Sequence, residues 1–239
     1  MTMKPSNYPE PTHRAMLTLQ SDAVETMSHD TAMAIVWKFI NPNKYWHKQE
    51  MKPFVWSFQK TGKGVFQFLF SSIFPSDTKH FYEAAEEAGA SFTMKDGTTY
   101  KIIGLQYLPD LNLESDYVRV FSSGDCGCQC FRKQTIGNRR HWRMISVFDS
   151  PERFKESVAG TIRRRANSFL PNGVKDDTPV SVRFVEPIAP PKAVAYKGGN
   201  ITTQFVTFKL IAPPEVQKVA LYGGIGKEPS SGFGFVLPA

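Results

Sequence analysis

Between residues 14 and 108 the hydrophobic pattern switches repeatedly between period two and helical spacing, and the order of those switches leaves few folds open. Residues 14–20, RAMLTLQ, alternate as a strand does. After Ser28-His29-Asp30, in which Ser28 or Asp30 can cap a helix, TAMAIVWKFI is dense in apolar residues and predicts a buried helix. PFVWSFQKTGKGVFQFLFSS is two β-rich runs around Thr61-Gly62-Lys63-Gly64, a hairpin signature. SDTKHFYEAAEEAG predicts a helix from a Ser76 cap to a Gly89 stop, and strands follow over 91–95 and 100–108 around Asp96-Gly97. The order β-α-β-β-α-β is the split βαβ, or ferredoxin-like, unit, with two helices on one face of an antiparallel sheet. It defines an N-terminal domain over residues 1–110.

Residues 111–239 repeat this order loosely. Strands are expected at 117–121, 180–185, 193–196 and 201–211, the last two joined through Gly198-Gly199-Asn200. Ser150-Pro151-Glu152 starts a helix over 151–170, with a cap, proline at the first position and an acid in the first turn. A further helix covers 213–222. The fold class expected is therefore α+β: two tandem ferredoxin-like (βαββαβ) units, the second carrying an inserted basic helix within a segment of about 126–170. A length of 239 residues fits such a pair.

Charge is concentrated in that segment. Of a net +7, the whole excess lies between Cys126 and Leu170, where ten Lys or Arg face three acids, while the remainder balances at nineteen and nineteen. A near-neutral body with one basic region is the pattern of a chain that docks a polyanion. Eight of the ten are Arg, whose planar fork suits bidentate phosphate binding. The candidate polyanion contacts are Arg132, Lys133, Arg139, Arg140, Arg143, Arg153, Arg163 and Arg164. On a helical wheel Arg153 and Arg164 coincide opposite the stripe Phe154, Val158, Ile162 and Phe169, whereas Arg165 falls within the stripe. Trp142, among arginines, can stack on a base or pack beneath the segment. Cys126, Cys128 and Cys130 form an odd, clustered set unsuited to a disulfide framework; strand alternation would spread them too far for one zinc ion with His141 unless a turn at Gly127 brings them together, and a loop or buried thiols is the reading preferred. No metal or cofactor is expected. Apolar residues at 41% and charged residues at 21% exclude a disordered chain, and the absence of a long apolar run argues against a membrane span or secretory leader, so a cytoplasmic protein is expected.

The stretch 223–236, GGIGKEPSSGFGFV, has five glycines between Gly223 and Gly234. It reads either as a wide turn or as a loop that brings N–H groups to phosphates. It is not a P-loop, because Lys227 is followed by Glu228-Pro229 and the loop leads into a strand.

A helix leading into Gly224-Ile225-Gly226, then Ser230-Ser231-Gly232-Phe233-Gly234-Phe235 and a terminal strand, resembles the glycine-rich loop of the RAMP superfamily of CRISPR-associated proteins. Within it, a double ferredoxin-like chain of this length resembles the endoribonucleases that cut CRISPR repeat transcripts into guide RNAs. A type IV or type I-F-like variant is the narrower expectation. The resemblance implies RNA contacts at Gly224, Gly226, Lys227, Ser230, Ser231 and Gly232, a basic helix that grips a repeat hairpin, and association with other effector-complex subunits. It also implies a catalytic histidine between the first strand and first helix, where this sequence has His29. Metal-free RNA cleavage needs a base for the 2′-OH, cations for the developing phosphorane charge and a proton donor for the 5′-oxygen. A helix N-terminus favours the neutral imidazole that a base requires. Ser28-His29-Asp30 also reads as a plain capping sequence, with Asp30 orienting the ring or capping. Arg14, on the first strand, is the candidate charge stabiliser, weighed against a salt-bridged surface arginine. A-form RNA has a major groove too narrow for side chains, so phosphates near the end or loop of a short stem are the expected contacts. The rival reading is a non-catalytic RAMP subunit that lines or caps a guide RNA. An unrelated phosphate-ligand enzyme lacks its dinucleotide fingerprint.

Overall fold

A computed structural model describes residues 10–40, 51–111, 117–122, 131–136, 139–144, 148, 150–187, 190–226 and 229–238. Its first sheet is built from β1 (Arg14–Gln20), β2 (Phe54–Gly62), β3 (Val65–Ser72), β4 (Ser91–Thr93) and β5 (Thr99–Leu108), in the order β2-β3-β1-β5-β4. Helices α1 (His29–Ile40) and α2 (Pro75–Glu87) cover one face. The register follows from the pattern: Ala15, Leu17 and Leu19 of β1 are fully buried and pair with Phe70, Phe68 and Phe66 of β3. Phe70 stacks on Phe81 of α2 at 4.5 Å, and Phe39 of α1 meets Phe81 edge-on at 5.9 Å.

The second sheet uses β6 (Tyr117–Ser122), β9 (Ser181–Pro187), β12 (Val206–Ile211) and β13 (Val236–Pro238), in the order β13-β6-β12-β9. Helices α3 (Pro151–Phe169) and α4 (Pro214–Gly223) pack on it, with Phe154, Val158, Ile162 and Ala166 of α3 fully buried. Strand for strand this is the order of the first sheet without β4, so two ferredoxin-like units stand in tandem. The basic helix differs from expectation in its place. It is the first crossover helix of the second unit, and the additions are two hairpins: β7 (Phe131–Ile136) with β8 (Arg139–Met144), and β10 (Lys192–Tyr196) with β11 (Gly199–Thr203). The stretch expected as one strand over 201–211 divides, because β11 belongs to the hairpin and β12 to the sheet.

Helix starts also differ in detail. Ser28, not Asp30, caps α1, its Oγ accepting the Thr31 N–H at 3.1 Å. Ser76 does not cap α2, which begins at Pro75 with no side-chain cap. There Ser72 Oγ accepts the Phe74 N–H at 3.2 Å and donates to Asp77 at 2.5 Å. Burial raises the Asp77 carboxyl to about 6. Ser150 likewise makes no cap bond at α3.

The units interlock. Tyr196 and Phe233, from the second, belong to the core of the first, and Ile73 of the first packs on the core of the second. Arg165, buried within α3, donates from Nη2 to the carbonyls of Lys52 at 2.7 Å and Gly223 at 2.5 Å, tying that helix to the entry of β2 and the end of α4. Its place in the apolar stripe is thus explained by an internal partner, and desolvation lowers it to about 10. Among the described residues no helix is long and apolar enough to cross a membrane.

Candidate functional site

His29 is the first residue of α1, 5% exposed. Its ring lies between Phe233 at 4.4 Å and Trp56 at 5.2 Å, with Tyr196 edge-on at 5.8 Å. Nε2 donates to the carbonyl of Ser231 at 2.6 Å, a contact between residues 202 apart in sequence. The same dipeptide is held twice more: Trp56 Nε1 donates to the Ser230 carbonyl at 3.0 Å and the Tyr196 hydroxyl to Ser231 Oγ at 2.8 Å. One helix, one edge strand and one hairpin therefore converge on Ser230-Ser231.

The glycine-rich loop reaches this point by straddling β2. Val55 and Trp56 are consecutive, so their side chains point to opposite faces of the strand. Gly224 packs on Val55 and Gly232 on Trp56. A Cβ on Gly232, which has φ +87, would stand 2.6 Å from the indole, and one on Gly234, with φ +76, would run into the Ile225 carbonyl. Glycine is required there by close approach as well as by backbone conformation.

That packing alters the expected use of the loop. The N–H of Gly224 binds Ala220 O at 3.0 Å, that of Ile225 binds Gly234 O at 3.0 Å, that of Gly226 binds Thr161 Oγ1 at 3.3 Å and that of Gly232 binds Pro229 O at 2.9 Å. These groups brace the loop and do not form an open cradle for phosphate. Ile225, Phe233 and Phe235 are buried between the glycines and draw the backbone inward with them. Ser231 is 6% exposed, and Ser230 is the more open of the two serines. Lys227 lies outside the described residues.

Arg14 is not brought to His29. It alternates with Ala15, Leu17 and Leu19, whose face carries α1 and α2, so Arg14 stands on the opposite face of the sheet, paired in register with Ser71 and Leu108. Burial lowers its pKa, with Tyr222 and Asp110 opposing. Beside it His13 stacks on Tyr222 at 4.4 Å, and the His13 N–H binds Asp110 Oδ1 at 2.9 Å. Asp30 does not cap the helix: its two oxygens accept the N–H of Lys197 at 3.1 and 3.2 Å, docking the β10–β11 turn on the head of α1.

The arginines of α3 separate into roles. Arg153 and Arg164 are exposed. Arg163 donates to the carbonyls of Lys175 at 3.1 Å and Thr178 at 2.8 Å, bracing the loop after the helix. In the β7–β8 hairpin the register sets Arg132 opposite Arg143, Lys133 opposite Trp142, Thr135 opposite Arg140 and Ile136 opposite Arg139. Cys126, Cys128 and Cys130 lie outside the described residues.

Sequence reasoning missed the aromatic enclosure of the histidine by Trp56, Tyr196 and Phe233. The one visible signal was the alternation of phenylalanine with glycine in residues 232–235, which marks a loop that packs.

Residues 130–237 match the family model for the C-terminal part of CRISPR-associated protein Cas6. Among curated proteins, none matches the sequence. A solved structure described as an RAMP protein binding different RNA substrates superposes with a TM-score of 0.76 at 12% identity, covering 95% of this chain and 99% of its own. A CRISPR-associated protein Cas6 gives 0.74 at 14%, covering 95% and 98%, and a Cas6-related protein from Pyrococcus furiosus gives 0.74 at 13% over the same shares. Identities this low speak to the fold. The glycine loop, α3, β9 and β12 fall inside the segment that matches the Cas6 C-terminal model, and the chain as a whole shares the tandem ferredoxin-like fold of these solved structures.

Proposed function

We propose that this chain is an endoribonuclease that binds the hairpin of a CRISPR repeat transcript and cuts it on the 3′ side without a metal ion. It then retains the processed guide in a cytoplasmic ribonucleoprotein complex with other effector subunits. In the reaction the 2′-oxygen bonds to the adjacent phosphorus as the bond from phosphorus to the 5′-oxygen breaks. The 2′ proton passes to a base, a proton is delivered to the 5′-oxygen, and a 2′,3′-cyclic phosphate remains. The observation that carries this reading is the closure of the glycine loop, inside the Cas6-matching segment, onto His29 at the head of α1.

With Nε2 donating to Ser231, a neutral His29 ring has its lone pair on Nδ1, so proton abstraction runs through Nδ1. The Ser231 carbonyl then stabilises the imidazolium that results. Arg14, on the other face of the sheet, does not serve this phosphate. Lys197 is the cation this reading assigns to the phosphorane charge: its N–H binds Asp30, and its Nζ lies 4.8 Å above the ring of Tyr196, which itself meets His29. Arg153 and Arg164, exposed on α3, hold phosphates of the stem.

Repeat RNA incubated with the protein in EDTA is expected to be cut to a product ending in a cyclic phosphate. His29→Ala should lower the rate by about a hundredfold or more with RNA binding retained. A specific observation favours a second reading, that of a non-catalytic RAMP subunit which binds or caps guide RNA: at 5% exposure, His29 meets a phosphate only if a neighbour moves. Binding without cleavage by the unmodified protein would decide for it.

A further inference from the structure

A cleft of about 670 Å3 opens along α1, lined at the head of that helix by Asp30, the residue after His29. One wall is a helical stripe, Asp30, Trp37 and Lys38, at the i, i+7, i+8 spacing that sets side chains above one another. The other is the turn between β4 and β5, with Met94, Lys95 and Asp96. The volume lies within the range of small-ligand sites. Trp37 and Met94 supply a flat aromatic face and a polarisable apolar side chain. Both carboxylates already serve backbone amides, Asp30 the Lys197 N–H and Asp96 the Thr98 N–H at 2.9 Å. The lysines have no ion pair among the described residues. Lys38 lies 5.8 Å over the Phe92 ring, and Lys95 is exposed at the rim. Trp37, which also meets Phe54 edge-on at 5.6 Å, offers a ring to a planar base, and Lys38 and Lys95 offer cations to its phosphate beside two carboxylates held on backbone amides.

We infer that this cleft binds one unpaired nucleotide of the RNA, its base against Trp37 and its phosphate between Lys38 and Lys95. This rests on the RNA-processing reading and deepens it. The cleft meets the first sheet at its β4 edge, whereas Trp56, which stacks on His29, belongs to the β2 edge, so its occupant is a nucleotide of the single strand beside the stem and not one at the cut linkage. It lies apart from the glycine loop and from the exposed arginines of α3.

The test compares two RNAs, the bare hairpin and the hairpin with a short single-stranded flank on each side, bound by unmodified protein and by Lys38→Ala/Lys95→Ala. Both lysines are exposed, so the fold should persist; a Trp37→Phe variant, keeping a ring in place, serves as the control that stacking survives. The double variant should lose about tenfold in affinity for the flanked RNA and little for the bare hairpin. A 4-thiouridine in the flank should crosslink to the peptide carrying Trp37 or Met94. Equal losses for both RNAs, no loss for either, or crosslinks confined elsewhere overturn the inference, and so does failure of either RNA to bind. Since the readout is binding, flank-dependent loss in a protein that cuts nothing would leave the cleft standing while the endonuclease reading falls. Cleavage with no flank effect would do the reverse.

Discussion

Helices α1 and α3 occupy the same position in the two repeats, each crossing from the first strand of its unit to the second, yet they are used in opposite ways. In α1, HDTAMAIVWKFI has only Asp30 and Lys38 as charged residues, and its distinctive feature is its end: a serine cap, a histidine and a glycine loop lying over both. In α3 the end is plain, without a side-chain cap, and the length carries the chemistry, with Arg153 and Arg164 outward, Arg163 on a neighbouring loop and Arg165 inward. A ferredoxin-like unit offers a helix both a terminus near the strand ends and an outer face. Duplication lets one copy use the terminus and the other the face, with the two uses coupled wherever the copies touch.

The strongest way to break this comparison is at that coupling. Arg165→Ala leaves the carbonyls of Lys52 and Gly223 without their donor and empties a buried volume, so unfolding free energy should fall by about 3 kcal/mol in urea titrations. A loss below about 1 kcal/mol would mean the units are held together by apolar packing alone. Next is Gly232→Ala, which sets a Cβ against Trp56 in a left-handed conformation and should cost about 2 kcal/mol. If the loop covers α1 as described, indole fluorescence should change with it. Unchanged stability and fluorescence would show that the loop does not bear on Trp56.

The outward face of α3 can be separated from its bracing function. Arg153→Gln with Arg164→Gln should weaken hairpin RNA about tenfold and lower the slope of log affinity against log salt by about 2, leaving stability unchanged. Arg163→Gln should do the converse, lowering stability by about 1 kcal/mol through the lost Lys175 and Thr178 contacts with affinity little altered. Equal effects on affinity from both would show that Arg163 leaves its carbonyls for RNA.

Much of the architecture was legible because it is local. Thr61–Gly64 specifies a hairpin wherever it occurs, and the phenylalanines of 66, 68 and 70 alternate strictly enough to fix the register against Leu19, Leu17 and Ala15. What was not legible depends on contacts distant in sequence. Helix α3 reads as an appendage because the β7–β8 hairpin separates it from β6 and because its arginines mask an apolar stripe that is complete once Arg165 is matched to carbonyls at Lys52 and Gly223. The break between β11 and β12 carries no glycine or proline; the chain changes sheet at Gln204, which is fully buried. His29 could be singled out from its place at the start of the first helix together with the family resemblance, but its enclosure needs residues from three elements that only folding assembles, and a glycine count gives no direction to the N–H groups it supplies.

The smallest expected effect concerns the two helix starts, and it tests the comparison most directly because the residue type is the same. Ser28 Oγ accepts the Thr31 N–H, whereas Ser150 makes no such bond and leaves its helix to Pro151 and Glu152. Ser28→Ala should therefore cost about 1 kcal/mol and Ser150→Ala no more than a few tenths, measured side by side in the same denaturant. Loosening the first turn of α1 should also shift the His29 ring against the Ser231 carbonyl, visible as a change in the histidine's nuclear magnetic resonance signal, while Ser150→Ala leaves that signal in place. If the two alanine variants lost equal stability, the contrast between a capped, functional terminus and a plain one would have no energetic basis, and the division of use between α1 and α3 would rest on their side-chain faces alone.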